Sequence, residues 1–255
     1  MVLYFVIPCY YDENVLPLTG PVFLWKLHDL IAREVIDADS RVLFVNDGST
    51  DATWKIIARL HENDWGCIGI DLAENVGEQN ALLAGMAFAK DRGADCCITM
   101  DSDLQDDIAA VDQMVEAFLA GSEAVFGVRR SRKSDTFFER ATSGLFYGIM
   151  HIVEPRSIAN HSNYRLLSKR AMEWLLSQTE RPFFLPTLAS LLEVPSTIVY
   201  YDRLPRTAGN SGYNFQKRLH LGMKAIYDHM VRRWHLHVFK QKKGLPDTHI
   251  RQILE

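Results

Sequence analysis

The chain has 255 residues, of which 47% are hydrophobic, 11% aromatic and 24% charged. These proportions are typical of an ordinary globular protein and exclude a disordered, collagen-like or coiled-coil chain. The formal net charge of −4 argues against a general nucleic-acid-binding protein. The charge is also uneven, because residues 203–243 contain ten Lys and Arg and one acidic residue, which gives +9 there and −13 for the rest.

The cysteines and the apolar segments indicate the cellular location that is expected for the protein. Cys9, Cys67, Cys96 and Cys97 have no metal-ligand spacing and lie in or beside apolar runs. They are expected to be reduced, buried thiols of a cytoplasmic protein. The N-terminus does not resemble a signal peptide, and no apolar run reaches the roughly 18 residues of a membrane span. Any membrane association is therefore expected at the inner surface, as a peripheral protein.

In chain order, the first half alternates strand-like apolar runs with helical patterns. Strands are predicted at residues 2–7, 41–45, 67–72, 95–100 and 124–128. Helices are predicted at residues 22–33, 77–90 and 107–120, and from a Ser49 or Thr50 cap to Leu60. This alternation indicates an α/β fold with a mostly parallel sheet covered by helices on both faces. Ligands of such sheets bind beyond the carboxyl ends of the strands.

The second half is less regular. Its predicted elements are a helix at 136–153, a strand at 164–167, a helix at 169–176, a strand at 197–201, a basic helix at 215–239 and a polar tail at 240–255. The basic helix carries an apolar stripe formed by Leu219, Met223, Ile226, Met230, Trp234 and Val238. Such a helix either lies on an anionic membrane surface or packs its stripe on the domain. Both interpretations stay open.

The sharpest polar cluster is residues 100–106 (Met-Asp-Ser-Asp-Leu-Gln-Asp), which follows a predicted strand. The carboxylates of Asp101 and Asp103 can converge on one Mg²⁺ or Mn²⁺, whose other positions are filled by water or phosphate. A metal that bridges a diphosphate would stabilise a departing nucleotide. The alternative is an Asp-rich cap for the following helix, because short motifs of this kind also occur by chance.

Two further clusters follow the first and second strands. Residues 8–13 (Pro-Cys-Tyr-Tyr-Asp-Glu) either enclose a nucleoside or form an irregular loop. Residues 47–51 (Asp-Gly-Ser-Thr-Asp) either place Asp47 on a nucleotide base or ribose, or form a turn and a helix cap. For each cluster the binding and the structural interpretation remain open.

Two basic segments complete the set of candidates. The first contains Arg129, Arg130, Arg132 and Lys133, which either bind phosphate or form a solvated charge run. The second, residues 206–213, either cradles phosphate or connects two elements. The sequence lacks the glycine motifs of dinucleotide-binding dehydrogenases and P-loop NTPases. It also lacks zinc-ligand spacing and the nucleophile motif of α/β-hydrolases.

Together these clusters resemble the family-2 glycosyltransferases of GT-A fold, in particular the polyprenyl-phosphate glycosyltransferases and dolichol-phosphate mannose synthases. The matching segments are VIPCYYDE (6–13), VNDGSTD (45–51), NVGEQNAL (75–82), MDSDLQD (100–106), GVRRSR (127–132), NYRL (163–166) and RxAGxSxY (206–213). The resemblance implies a Rossmann-like GT-A domain at 1–205, with a nucleotide-sugar half (1–105) and an acceptor half (106–205). Residues 206–255 would add a basic loop, an amphipathic helix and a polar tail.

The resemblance also implies roles for individual residues. The nucleoside would be held by Pro8, Tyr10, Glu13 and Asp47, and Asn75 would also belong to the donor-binding residues. The donor diphosphate and its Mg²⁺ or Mn²⁺ would be held by Asp101 and Asp103, with Gln105 nearby. The candidate catalytic residues are Asp101, Asp103, Gln105 and Asn163. Phosphate contacts would come from Arg129, Arg132 and Arg206, supported by Ser211 and Tyr213.

The sequence departs from the family pattern at two positions. Relatives commonly have an acidic residue, a candidate general base for the acceptor, at the position of Asn163, and an amide cannot take a proton. A phosphate acceptor is already ionised near neutral pH, so Asn163 favours a lipid phosphate over a sugar hydroxyl. Relatives often have Lys at the position of Gly212, so one implied phosphate contact is missing here.

The resemblance implies an inverting transfer of a hexose from a UDP- or GDP-sugar to a polyprenyl phosphate at the cytoplasmic membrane face. Two alternatives stay open. One is transfer to a sugar hydroxyl in cell-surface polysaccharide synthesis, and the other is a non-catalytic nucleotide-sugar-binding protein of the same fold. A separate membrane subunit and a homo-oligomer are further open expectations.

Overall fold

A computed structural model describes residues 1–130, 161–177, 192–204 and 250–255. The predicted helices at 136–153 and 215–239 lie outside these ranges. The candidate site residues that also lie outside them are Arg132, Arg206, Ser211 and Tyr213.

The described residues form one eight-stranded sheet with helices on both faces. The strands are β1 (Leu3–Cys9), β2 (Arg41–Asn46), β3 (Cys67–Leu72), β4 (Cys96–Thr99), β5 (Ala124–Arg129), β6 (His161–Ser168), β7 (Ser196–Tyr201) and β8 (Ile250–Leu254). The helices are α1 (Leu16–Ala32), α2 (Thr53–Asn63), α3 (Glu78–Asp91), α4 (Ala110–Leu119) and α5 (Lys169–Ser177). None of these helices is long and apolar enough to cross a membrane.

The strand order is β7-β5-β6-β4-β1-β2-β3-β8. The central strands β4, β1, β2 and β3 are parallel, and β5 and β7 form a further parallel pair. β6 runs antiparallel between β4 and β5, and β8 runs antiparallel to β3. Since β1, β2 and β4 are parallel neighbours, the loops that follow them meet at one edge of the sheet, as the sequence predicts.

Alternate side chains of the central strands enter two separate cores. Phe5 and Ile7 of β1 pack under α1, α2 and α4, whereas Tyr4 and Val6 pack under α3 and α5. A strand that is buried on both faces is apolar at nearly every position. This burial explains why the central strands could be located from the sequence to within one or two residues. The four cysteines are free thiols and all are buried, as expected.

Helix α1 begins at Leu16, so the predicted start at residue 22 is wrong. Pro17 lies in the first turn of the helix, where a missing backbone N–H leaves no intrahelical hydrogen bond unmade. Burial of Leu16, Thr19 and Gly20 continues the helix through Pro21. A proline inside a helix is locally unfavourable, so tertiary burial here overrides the local preference.

The predicted Ser49 or Thr50 cap of α2 is also wrong, because Ala52 occupies the N-cap position without a side-chain cap. The hydroxyls of Ser49 and Thr50 instead contact Tyr11 in the loop after β1. Ser49 Oγ accepts a hydrogen bond from the backbone N–H of Tyr11 at 3.1 Å, and Thr50 Oγ1 lies 3.0 Å from the phenol oxygen of Tyr11, within hydrogen-bond distance. The helix start is instead bonded by carboxylates. Asp51 accepts from the N–H of Thr53 at 3.0 Å.

The predicted polar tail did not include β8, which pairs with β3 at the edge of the sheet. Arg251 Nη1 lies 3.3 Å from the buried Asp71 carboxylate. Gln252 accepts a hydrogen bond from the indole N–H of Trp54 at 3.3 Å. Four of the five β8 side chains are exposed, and such a short run gives too weak a pattern for sequence reasoning to recognise as a strand.

Candidate active site

The loops after β1, β2 and β4 are joined to one another at the carboxyl edge of the sheet. The backbone N–H of Asp47 donates to the carbonyl of Cys9 at 2.8 Å, which connects the loop after β2 to the end of β1. Ser102 Oγ donates to Asp12 Oδ2 at 2.8 Å, which connects the loop after β4 to the loop after β1. Three of the predicted clusters therefore form one site.

Asp47 and Asn75 are brought together within this site. The buried Asp47 carboxylate accepts hydrogen bonds from the N–H groups of Val76 (2.7 Å) and Gly77 (3.0 Å) and from the side-chain amide of Asn75 (2.9 Å). Burial raises the pKa of Asp47, and the two backbone N–H groups partly offset this. Asp47 thus fixes the loop that leads into α3, beside the position where a nucleoside is expected.

The turn after Asp47 requires glycine. Gly48 has φ +65°, and a Cβ there would lie 2.3 Å from the carbonyl carbon of Glu74. Only a residue without a side chain allows the two loops to approach so closely. Glycine is therefore required at position 48 both for its positive φ and for the close packing of the two loops.

Aromatic side chains of the loop after β1 lie at the surface of the site. Tyr10 and Tyr11 are about half exposed, and their ring centroids are 4.5 Å apart in an edge-to-face arrangement. Pro8 is buried within β1, and Glu13 accepts a hydrogen bond from the N–H of Ala52 at 3.0 Å. Of the nucleoside candidates in this loop, Tyr10 therefore presents a ring face that can stack on a base.

The turn after β4 carries the paired carboxylates. Asp103 Oδ1 accepts from the N–H of Gln105 at 3.1 Å, and Leu104 between them has φ +51°. Asp101 is half-buried, and its Oδ1 is secluded from solvent without a hydrogen-bond partner among the residues that the structure describes. A buried carboxylate oxygen of this kind calls for a cation, a proton or water.

The surroundings of Asp101 are acidic. Burial raises the pKa of Asp101 well above its usual value, and the negative charges of Glu78, Asp106 and Asp103 raise it further, while Arg129 opposes them. An ionised carboxylate is therefore disfavoured at this position until a positive charge arrives. A cation beside Asp101 would relieve this repulsion.

The residues of the turn fit a divalent cation. Asp101 and Asp103 could supply the oxygen ligands that Mg²⁺ and Mn²⁺ prefer. The secluded Oδ1 of Asp101 is available to bind such a cation. No group of three or more His, Cys, Asp or Glu that could hold a metal gathers in the described ranges. A cation at this turn would therefore take its remaining ligands from water or from a phosphate, which is usual for Mg²⁺.

Arg129 is placed by an ion pair. Its Nη2 lies 3.1 Å from the buried Asp106 carboxylate, and its Nε donates to the hydroxyl of Tyr201 at 3.2 Å. The same hydroxyl donates to Asp106 at 2.5 Å. Burial lowers the pKa of Arg129, but Asp106 and Tyr201 outweigh it and the net pKa is raised. Arg129 is therefore held as a cation against Asp106, the last residue of the cluster 100–106.

The candidate catalytic residues Gln105 and Asn163 both contact charged side chains. Arg203 Nη2 donates to Gln105 Oε1 at 2.5 Å. The Asn163 amide donates to Glu78, and its oxygen accepts from Arg165 Nη2 at 3.2 Å. The amide of Asn163 thus bridges an acid on α3 and a fully buried base on β6.

Sequence reasoning missed the roles of several of these residues. Asp12, Glu78 and Asp106 each lie inside or beside a matched segment, so their positions were visible, but nothing in the sequence pairs them with Ser102, Asn163 or Arg129. Arg203 enters the sequence analysis only as one of the ten Lys and Arg residues between positions 203 and 243. Partners of this kind are separated by 23 to 98 positions in the chain and meet only because the strands are adjacent.

Comparison with known sequences identifies the family of the chain. The family model described as Glycosyl transferase family 2 matches residues 5–176. The chain is 41% identical over 225 residues to the uncharacterized glycosyltransferase YkoT of Bacillus subtilis, covering 88% of this chain and 66% of that protein. It is 30% identical over 222 residues to the prophage bactoprenol glucosyl transferase homolog of Escherichia coli K12, covering 87% and 70%. The chain thus spans about two thirds of these relatives.

A solved structure has the same fold. Glucosyl-3-phosphoglycerate synthase from Mycobacterium tuberculosis, in complex with Mn²⁺, UDP-glucose and phosphoglyceric acid, matches with a TM-score of 0.59 at 15% identity. The match covers 91% of this chain and 79% of that one. The expected GT-A α/β fold is therefore confirmed. With the family model matching well over half of the sequence, the chain belongs to glycosyl transferase family 2.

Proposed function

We propose that this glycosyltransferase moves a hexose, with inversion, from a nucleoside-diphosphate sugar to a polyprenyl phosphate. The observation that carries the proposal is the Asp101–Asp103 turn, which gathers carboxylates around a secluded oxygen where three strand ends meet. The names of relatives support the acceptor, since the Escherichia coli relative is named for bactoprenol and glucose. Mn²⁺ and UDP-glucose in the Mycobacterium structure support the donor and the metal.

Each loop of the site has a part in this reaction. Tyr10 would stack on the base, while Asp47 and Asn75 fix the loop beneath it. Asp101 and Asp103 would hold Mg²⁺ or Mn²⁺, which supplies positive charge to the departing diphosphate. An acceptor oxygen would attack the anomeric carbon on the face opposite the leaving nucleotide, so the configuration inverts. Arg132, Arg206, Ser211 and Tyr213 remain predicted phosphate contacts.

The surroundings of Asn163 favour a phosphate acceptor over a sugar hydroxyl. A hydroxyl must lose a proton as it attacks, which calls for a general base. Asn163 carries an amide that donates to Glu78 and accepts from Arg165, so it has no role in taking a proton. A phosphate monoester is already ionised at neutral pH and attacks without such help.

Transfer of labelled hexose tests this proposal. Radiolabelled UDP-glucose, and separately GDP-mannose, would be incubated with the chain, Mn²⁺ and a polyprenyl phosphate, and the label in the organic phase counted. We expect lipid-bound label that Asp103→Ala reduces by about a thousandfold or more, as expected for loss of charge stabilisation. Label in an aqueous glycan would instead support hydroxyl acceptors. Binding of nucleotide without turnover would support a non-catalytic protein.

The basic helix predicted at residues 215–239 gives a separate proposal about location. We infer from its sequence that this helix docks at an anionic membrane surface, where each Lys or Arg contributes about 1 kcal/mol. Flotation of the chain with phosphatidylglycerol-containing vesicles at low salt would support docking, and loss of flotation at high salt is expected. Failure to float with anionic vesicles at low salt would contradict it.

A further inference from the structure

Asp12 connects all three loops of the site. Its backbone N–H donates to Thr53 Oγ1 at 2.9 Å, at the start of α2, and its carbonyl accepts from the N–H of Leu16, at the start of α1, at 2.9 Å. Its carboxylate Oδ2 accepts from Ser102 Oγ at 2.8 Å and from the N–H of Tyr10 at 3.1 Å. One short side chain thus joins the nucleoside loop to the carboxylate turn.

Ser102 is the middle residue of that turn. It is 8% exposed, and its hydroxyl points to Asp12 from between the two predicted metal ligands, Asp101 and Asp103. The downstream half of the turn is fixed separately, by the hydrogen bond from Gln105 N–H to Asp103. The bond between Ser102 and Asp12 therefore fixes the upstream half of the turn to the body of the domain.

The turn needs such a connection because its charges repel one another. The negative charges of Glu78, Asp103 and Asp106 repel that of Asp101. The charges of Asp103 and Asp51 likewise repel that of Asp12. Carboxylates with nothing to hold them would move apart until solvent screened them. A hydroxyl that donates to a carboxylate is a charge-assisted hydrogen bond, which is stronger than a neutral one.

We propose that Asp12 and Ser102 are positioning residues, whose hydrogen bond holds the turn in the arrangement that binds the divalent cation. Asp12 acts through Ser102 and is not itself a ligand. This inference rests on the proposed function, since it concerns the metal that the transfer would use. It adds that cation affinity depends on a serine hydroxyl that carries no charge.

Direct Mn²⁺ binding tests the inference without any turnover. The electron paramagnetic resonance signal of free Mn²⁺ would be titrated with the chain, alone and with saturating UDP. We expect Ser102→Ala and Asp12→Ala each to weaken Mn²⁺ binding by roughly tenfold or more. Asp12→Asn is the matched control, because its amide oxygen can still accept from Ser102 and Tyr10, and it should bind within about threefold of the unsubstituted chain.

Comparing single and double substitutions separates positioning from other effects. If the hydrogen bond is the cause, the Asp12→Ala/Ser102→Ala variant should bind Mn²⁺ no more weakly than either single variant. Metal-free thermal unfolding of Ser102→Ala should stay close to that of the unsubstituted chain, which shows that the fold is intact.

The outcomes distinguish this inference from the function on which it rests. Unchanged Mn²⁺ binding by Ser102→Ala overturns the inference and leaves the proposed function standing. Additive losses in the double variant, or a loss in Asp12→Asn as large as that in Asp12→Ala, also overturn it, since Asp12 would then act through its charge. Absence of Mn²⁺ binding by the unsubstituted chain overturns both.

Discussion

The ionised form of Asp101 is disfavoured by its burial and by repulsion from its acidic neighbours. Burial and three neighbouring carboxylates raise its pKa, while Arg129 gives partial relief. In the folded chain the carboxyl therefore stays protonated to a higher pH than in the unfolded chain, where the pKa of Asp is about 3.9. Between the unfolded-state pKa and the higher folded-state pKa, the folded state binds more protons than the unfolded state. The free energy of unfolding therefore falls as the pH rises through this range.

Replacing Asp101 by Asn should therefore stabilise the metal-free protein while it abolishes transfer. The neutral amide removes the repulsion, and we expect the free energy of unfolding at pH 7 to rise by about 1 kcal/mol. Urea unfolding in the presence of a chelator, at pH 5 and at pH 7, measures the change. The gain should be larger at pH 7, and equal stability of the two proteins at both pH values would contradict the electrostatic explanation.

A carboxylate at position 163 would conflict with Glu78. Asn163 donates to that carboxylate, so Asn163→Asp replaces a hydrogen bond by two acids in contact. We expect the free energy of unfolding to fall by about 1 kcal/mol, because an ion pair with Arg165, which donates to the side-chain oxygen of residue 163, offsets part of the repulsion. The combined Glu78→Gln/Asn163→Asp variant exchanges acid and amide and should recover most of the loss in urea unfolding. Full stability of Asn163→Asp alone would show that the contact is unimportant.

Among the elements, α3 packs closely on the sheet at Gly85. A Cβ on Gly85 would lie 2.4 Å from Val6 Cγ1 and 3.1 Å from Val45 Cγ2, both on buried strands. The missing side chain at Gly85 allows α3 to pack directly on β1 and β2. This close packing also sets the position of Glu78 and of the loop that Asp47 holds.

Gly85→Ala tests this packing, because two effects of opposite sign compete. Alanine favours a helix over glycine by about 1 kcal/mol, whereas overpacking a core costs about 1–3 kcal/mol. We expect net destabilisation, seen as a lower midpoint in thermal unfolding. A Val6→Ala substitution makes room, so the double variant should lose less stability than the two single changes added together. A stabilised Gly85→Ala would show that α3 can move away from the sheet.

At the scale of the whole molecule, β8 protects an edge of the sheet. It pairs with β3, and Arg251 provides a counter-ion for the buried Asp71, whose other oxygen accepts from Asn46 at 2.7 Å. Exposed strand edges promote aggregation. Residues 250–255 therefore stabilise the β3 side of the sheet although they are distant from β3 in the sequence.

Deletion of residues 250–255 should expose β3 and leave Asp71 short of a positive charge. We expect a loss of about 1–2 kcal/mol in the free energy of unfolding and faster aggregation on heating, followed by light scattering. Arg251→Gln keeps the strand and removes the charge of a side chain that is 58% exposed, so it should cost about 0.5 kcal/mol. Equal effects of the two changes would show that the strand pairing contributes nothing.

Much of the fold could be predicted, because burial on both faces of the sheet leaves a simple pattern. Runs such as that of β2 and the carboxylates that follow β4 identify themselves locally. Boundaries failed where local rules compete with tertiary contacts, as at Pro21, where burial continues a helix, and at Ser49, whose hydroxyl bonds another loop.

The sequence by itself determined the α/β alternation, the family and the carboxylate pair Asp101 and Asp103, since each depends on residues close together in the chain. Only the tertiary structure decided which partners those residues have: Asp12 for Ser102, Glu78 for Asn163 and Asp106 for Arg129. Hydrogen bonds and ion pairs act over a few ångströms. Residues distant in the sequence come within that range only when the strands and helices that carry them pack against one another.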